Sequence, residues 1–457
     1  MKFKTNLVIG AVFALLLAFV YFHEIKGGEE RRQEAERSKQ LLDFKESEVK
    51  RLVLVRPDGE IEIERGGTGW RLLIPVDDGA DGEAVERYLR NIAESEREKV
   101  VVDSADAESG EAAQRYGLDN PRLKVLLETE SGLLDTLFFG ADAPTDRFTY
   151  VQKSGANREI FVVRAWRYDN LDKGVFDLRD RRVLALSKGD VEAAQRSGYA
   201  PLALRKEGAQ WALQAPVSAR AANDAVDGLL GKVESSEVES FVDEAPDAEA
   251  LADYGLSDGA SLQWSLLVGP DRAEKRLSIG RADGEGRYFA RDASRPQVFL
   301  VDSTLVQKLL IEVDGLRDKR PLQLDRDAIN RIELQRNGQP VFAAERDTSG
   351  TWRLGEPASE ETKSWKLNAL LTDLQNVEAV DFAVAQGGDP HLSVRLLADG
   401  TPVHVVRFYL RDGEVFLEQD GDDNAYRIDG DAFADFDLDL DDVRQAPAPA
   451  DTTGADR

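Results

Sequence analysis

Trp70-Arg-Leu-Leu-Ile-Pro75 recurs as Trp211-Ala-Leu-Gln-Ala-Pro216 and again as Trp352-Arg-Leu-Gly-Glu-Pro357. The three Trp-x4-Pro copies are evenly spaced, at an interval close to a third of the chain. A period of that size belongs to tandem domains rather than to the short turns of a solenoid. The chain of 457 residues has room for three such domains of roughly 150 residues. The repeat also supplies a test for every other residue: one present in all three copies is structural, and one present in a single copy is a candidate for function.

Outward from each Trp the pattern is that of a β-meander. Leu52-Val-Leu-Val-Arg56, a Pro-Asp-Gly turn and Glu60-Ile-Glu-Ile-Glu64 precede the first copy. Period-two alternation around Asp-Gly signals a hairpin. The first-turn glycines Gly59, Gly198 and Gly338 supply the positive φ of such turns. After each Trp-x4-Pro, apolar residues recur at helical spacing: Val85, Leu89 and Ile92; Val226, Leu229, Leu230 and Val233; Leu367, Leu370, Leu371 and Leu374. Each is one stripe on a polar helix, which predicts packing against one face of a sheet with the Trp beneath it. Further strands and an aromatic hairpin follow in every copy. Turn-linked strands broken by one clear helix predict an α+β fold with mainly antiparallel sheets, not the alternating pattern of parallel nucleotide-binding sheets.

At the N-terminus Leu7–Phe22 is free of charge, and sixteen helical residues span about 24 Å, somewhat under a ~30 Å hydrocarbon core. Lys2 and Lys4 precede it, which predicts a cytoplasmic N-terminus and a single-pass transmembrane signal anchor over 1–23. Bulky or charged residues follow where a cleavage site needs small ones. The expected order is then a stalk over 24–45, repeat units at 46–186, 187–324 and 325–444, and a disordered tail over 445–457.

The net charge of −27 disfavours nucleic acid as a partner, and the absence of Cys removes disulfides, thiol catalysis and Cys-ligated zinc. The three histidines, His23, His391 and His404, do not repeat between copies. No nucleophile elbow, zinc helix or phosphate loop is present, so no catalytic residue and no cofactor is expected. Asp420, Asp422, Asn424 and Asp431 follow an oxygen-ligand calcium spacing, but Ala425 stands where the loop needs Gly and an Asp where it needs a bidentate Glu. A solvated turn explains them without a metal, and no metal site is expected. The basic closes Leu178-Arg179-Asp180-Arg181-Arg182 and Leu316-Arg317-Asp318-Lys319-Arg320 recur at nearly the interval of the tryptophans. Their cations suit helix ends, and in so acidic a chain Arg179, Arg181, Arg182, Arg317, Lys319 and Arg320 are candidate docking contacts at seams between units. Trp166 and Trp264 read as core.

The Trp-x4-Pro element, the Tyr116-Gly117-Leu118 and Tyr254-Gly255-Leu256 turns, the strand-end Gly140 and Gly280 and the Leu-Arg-Asp-Arg-like close resemble an uncharacterised bacterial membrane-anchored family, domain of unknown function 4340. Residues 41–324 carry the resemblance most fully; the third copy lacks Tyr-Gly-Leu and the basic close. The resemblance implies neighbours among gliding-motility-type ABC transporter components. It therefore implies a permease and an auxiliary subunit as partners, and a periplasmic location for the bulk of the chain. It supplies no catalytic residues. The expected function is a non-catalytic accessory or scaffold subunit of a membrane transport complex, with an envelope glycan-, lipid- or calcium-binding module as the alternative.

Overall fold

The computed structural model describes residues 39–445, except 68, 104–106, 108–109, 146, 156–157, 258–261 and 356–359. It contains three β-sheets whose paired strands all run antiparallel. In the first, the strands lie in the order Asp78–Gly79, Gly69–Ile74, Gly59–Gly66, Val49–Arg56, Leu123–Thr129, Leu137–Asp142, Phe148–Lys153, Ile160–Arg164 and Lys99–Val102. The second has the same order, from Ala219–Arg220 through Val191–Ser197 and Leu262–Val268 to Ser240–Asp243. The third runs from Trp352–Leu354 through Arg331–Arg336 and Leu392–Ala398 to Asp381–Val384. Two compact units result, one ending at Arg181 and the other, holding the second and third sheets, starting at Arg182.

One long helix covers one face of each sheet: α1, Gly82–Ala93; α2, Asn223–Ser235; and α3, Ser364–Asn376. The apolar stripes on these helices are buried, together with Tyr88 on α1. The facing strands alternate accordingly, Leu123, Val125 and Leu127 inward and Lys124, Leu126 and Glu128 outward. Burying four such side chains per helix contributes about 1.5–3 kcal/mol each. Trp70, Trp211 and Trp352 belong to the three cores. Trp352 donates its Nε1–H to Asn368 Oδ1 of α3 at 2.9 Å. The strands end before Pro75 and Pro216, and both prolines follow cis bonds. Pro357 lies outside the described residues.

The architecture corrects several expectations. Among the described residues no helix is long and apolar enough to cross a membrane, and the span expected at 7–22 lies outside them. The described fold is therefore sheet-dominated, without the expected transmembrane element. Leu41 and Leu42, assigned to a stalk, are buried in the first core, where Leu41 N–H donates to Ser95 O. Val183 and Leu184 belong to the second core and Leu322 and Leu324 to the third, so each unit begins a few residues before its expected boundary. Gln445, placed in the tail, donates its N–H to Glu361 O. Trp264 is core, but Trp166 is 49% exposed, with the Arg167 guanidinium over its ring.

Two repeated devices, one in all three units and one in the first two, hold the sheets to their connections. Arg56, Arg196 and Arg336, evenly spaced along the sequence, leave the first strand of each unit for its closing segment. Arg56 pairs with Asp172 at 3.3 Å, Arg196 donates to Leu309 O and Ile311 O, and Arg336 pairs with Asp437 and Asp439. Arg196 is fully buried and has only carbonyls as acceptors, and burial holds its pKa below the usual guanidinium range.

The Tyr-Gly-Leu turns, the second device, dock on a neighbouring strand. Ala141 N–H donates to Tyr116 O and Arg281 N–H to Tyr254 O. The Tyr rings pack on Tyr150 and Phe289 at 4.5 and 4.7 Å. The backbones come so close that a Cβ on Gly280 would lie 2.1 Å from Tyr254 O, and one on Gly140 2.3 Å from Tyr116 O. Unit three lacks the turn. There buried Glu418 accepts from Gln386 N–H, Gly387 N–H and Arg411, and Arg411 lies over Tyr409 and Phe416. Gly280→Ala is expected to lower stability by about 1–3 kcal/mol, the cost of forced overpacking, while Gly67→Ala, with open space around it, changes little. Chemical denaturation of both variants measures this.

Candidate functional site

Where the chain leaves one unit, an arginine pairs in antiparallel fashion with the segment that precedes the long helix: Arg179 with Ala80, Arg317 with Ala221, Arg444 with Thr362. The hydrogen bonds repeat. Asp81, Ala222 and Lys363 donate their N–H groups to Leu178, Leu316 and Val443 carbonyls. The third unit, whose sequence departs from the basic close, thus has its equivalent in Arg444.

Whether a carboxylate meets the guanidinium Nε depends on one position, two residues before the bridge. In the first unit it is Asp78, which accepts from Arg179 Nε at 2.7 Å. In the third it is Glu360, which accepts from Arg444 Nε at 2.7 Å. In the second it is Ala219. The Arg317 Nε is buried and has no hydrogen-bond partner among the described residues. Its guanidinium turns to the next unit instead. It lies 3.7 Å from the Phe382 ring centre and donates to Asn424 Oδ1 at 2.8 Å, with Asp314 at 3.4 Å. Asn424 Nδ2 returns a bond to Ser218 O, and Ala379 N–H donates to Lys319 O. A charge-assisted hydrogen bond contributes about 1.5–3 kcal/mol and a desolvated cation–π contact about 2, offset in part by guanidinium desolvation.

The seam between the second and third units also holds a cleft of about 940 Å³, lined by Asn223 and Asp224 at the start of α2, by Lys319 and Arg320, and by Gln375 and Asn376 at the end of α3. Cations and carboxylates alternate around it. Arg320 lies 3.6 Å from Glu378, and Arg220 3.7 Å from Asp318. Asn223 and Gln210 commit their amides to backbone groups of the second sheet.

The other sequence candidates are placed as follows. Arg181 lies over Phe176 at 5.0 Å, and Arg182 accepts at its carbonyl from Arg295. The four calcium candidates do not converge. Asp420 pairs with Arg407. Asp422 accepts from Asn424 N–H and Tyr426 OH, Asn424 faces Arg317, and Asp431 lies in the first turn of the short helix Gly430–Phe433, which Asp429 caps. Among the described residues no group of three or more His, Cys, Asp or Glu is placed to hold a metal. Burial, then its hydrogen bond to Asp422, raises the Tyr426 phenol well above its ordinary pKa. His391 lies 3.8 Å from Asp437, and His404 Nδ1 lies 3.3 Å from Gln419 Nε2. Arg336, Glu360 and Ala219 were missed in the sequence. The even spacing that ties each of them to its equivalents was available there.

Burial, and then the nearby charge of Arg220, hold the His404 pKa below its ordinary value. The unfolded chain therefore binds a proton that the folded chain refuses. Stability is lost as pH falls below about 6.5 towards the depressed folded value. His404→Gln is expected to reduce the fall in Tm between about pH 7.5 and 5.5, and an unchanged fall contradicts the assignment.

The profile of a family described as a domain of unknown function, DUF4340, matches residues 70–214 and 211–396. Both matches begin at the Trp of a Trp-x4-Pro copy, so the family's module is out of phase with the sheets and runs through the closing arginine into the next unit's meander. No curated protein matches. A DNA polymerase sliding clamp from Pseudomonas aeruginosa aligns at 9% identity over 86% of this chain and 94% of its own, with a TM-score of 0.13, too low to bear on the fold.

Proposed function

This chain belongs to the DUF4340 family, and from that premise we propose that it is a non-catalytic accessory or scaffold subunit of a membrane transport complex, working outside the cytoplasm. The observation that carries the reading is the seam at Arg317, where one unit uses an aromatic ring and a carboxamide to hold the closing cation of another. Units that join in this way offer extended surfaces for other chains. The polar groups nearest the cleft are largely committed to backbone and ion-pair partners, an arrangement suited to holding surfaces together rather than to moving protons. The family's association with ABC transporter components, implied by the sequence resemblance, supplies the transport context. Affinity purification from native membranes tests the reading. Co-purifying permease and ATPase chains are expected; a lone protein that retains glycan or lipid contradicts it.

A further inference from the structure

The closing arginine is 3% exposed in the first unit and 7% in the second, but 40% exposed in the third. The third unit builds the same bridge and the same carboxylate pair as the first, yet Arg444 and Glu360 stand open. Beside them lies a cavity of about 530 Å³ lined by Pro340, Val341, Phe342, Leu354 and Leu440 as well as the pair itself. Shortly past Thr362, in the first turn of α3, Trp365 is 68% exposed. Its counterpart one repeat earlier, Asp224, lines the cleft in which the second unit meets the third. The face that the second unit uses to hold its successor is therefore present on the third unit. It carries an exposed Trp, an Arg and an apolar hollow, the composition of an interface hot spot.

We propose that this end face of the third unit docks a different protein, one that presents a sheet edge with an aromatic side chain for Arg444 and a neighbouring hydrogen-bond acceptor, as Phe382 and Asn424 serve Arg317. A second copy of this chain is a poor fit. Its leading edge strand, Lys99–Val102, carries Val100 opposite Phe161, where the second and third sheets have Phe241 opposite Phe299 and Phe382 opposite Tyr426. A net charge of −27 on each copy further opposes self-association. The inference deepens the accessory-subunit reading and rests on it for the kind of partner.

The test places the photo-crosslinker p-benzoylphenylalanine at position 365 of the full chain in its native cells, with Leu133, 67% exposed in the first unit, as the control position. Irradiation is expected to join position 365, and not position 133, to one other protein, with the yield falling roughly tenfold on adding Arg444→Glu. Trp365→Ala alone, at an exposed site that leaves folding intact, is expected to release the same protein from affinity-purified complexes. Products that are the same from both positions, a product with a second copy or with the chain's own tail, or indifference to Arg444→Glu and Trp365→Ala overturns the inference. Transporter chains that co-purify without a 365-specific product leave the accessory reading standing and remove this face. A 365-specific product with a protein unrelated to transport does the reverse.

Discussion

A guanidinium taken out of water needs partners, and the closing arginine of each unit meets that constraint differently. Its backbone is fixed by the same antiparallel bridge in all three units, so the side chain always emerges beside the residue two positions before the bridge. With Asp78 or Glu360 there, the guanidinium has a carboxylate partner in its own unit. With Ala219 there, the Nε loses its acceptor, and the rest of the group reaches the ring of Phe382 and the amide of Asn424 in the next unit. In the second unit the missing carboxylate leaves the guanidinium to join the third. A buried cation left without any partner costs several kcal/mol, so the contacts to Phe382 and Asn424 stand in for the missing carboxylate.

The need to satisfy buried groups also explains the divergence of the third unit. Its predecessors cover part of one sheet with a short helix and a Tyr-Gly-Leu turn whose approach requires Gly140 or Gly280. Tyr409 stands at the corresponding place next to Phe408, and no turn can approach so closely. Glu418 and Arg411 satisfy the loop at Gln386 and Gly387 instead, and the arginine covers Phe416 where a tyrosine ring would otherwise lie. In the third unit the face that corresponds to the second unit's seam is accessible around Trp365 and Arg444.

Much of this was legible in the sequence because it depends on periodicity. Helical spacing marked the buried stripes of α1, α2 and α3, alternation marked the meander strands, and the recurrence of the basic closes drew attention to Arg179 and Arg317. What escaped depended on partners distant in the chain. Asp78 and Arg179 are 101 residues apart, and Arg317 and Asn424 107. Asn424 was grouped with Asp420 and Asp422 by calcium-like spacing, although its carboxamide serves the seam. The unit boundaries moved because Leu41, Val183 and Leu322 lie in short apolar stretches with no local period, and their burial depends on cores built by residues far along the chain.

The most direct test restores the missing carboxylate. Ala219→Asp places an acceptor where Asp78 and Glu360 stand in the other units, next to the unpartnered Arg317 Nε. Hydrogen exchange at Ala379–Val384 and Asn424–Tyr426 reads the seam, and exchange in α2 reads the second core. Faster exchange at the seam with unchanged protection in α2 is the predicted result, because Arg317 then pairs within its own unit. Unchanged protection at the seam would contradict the claim that the missing carboxylate at this position directs Arg317 to the third unit.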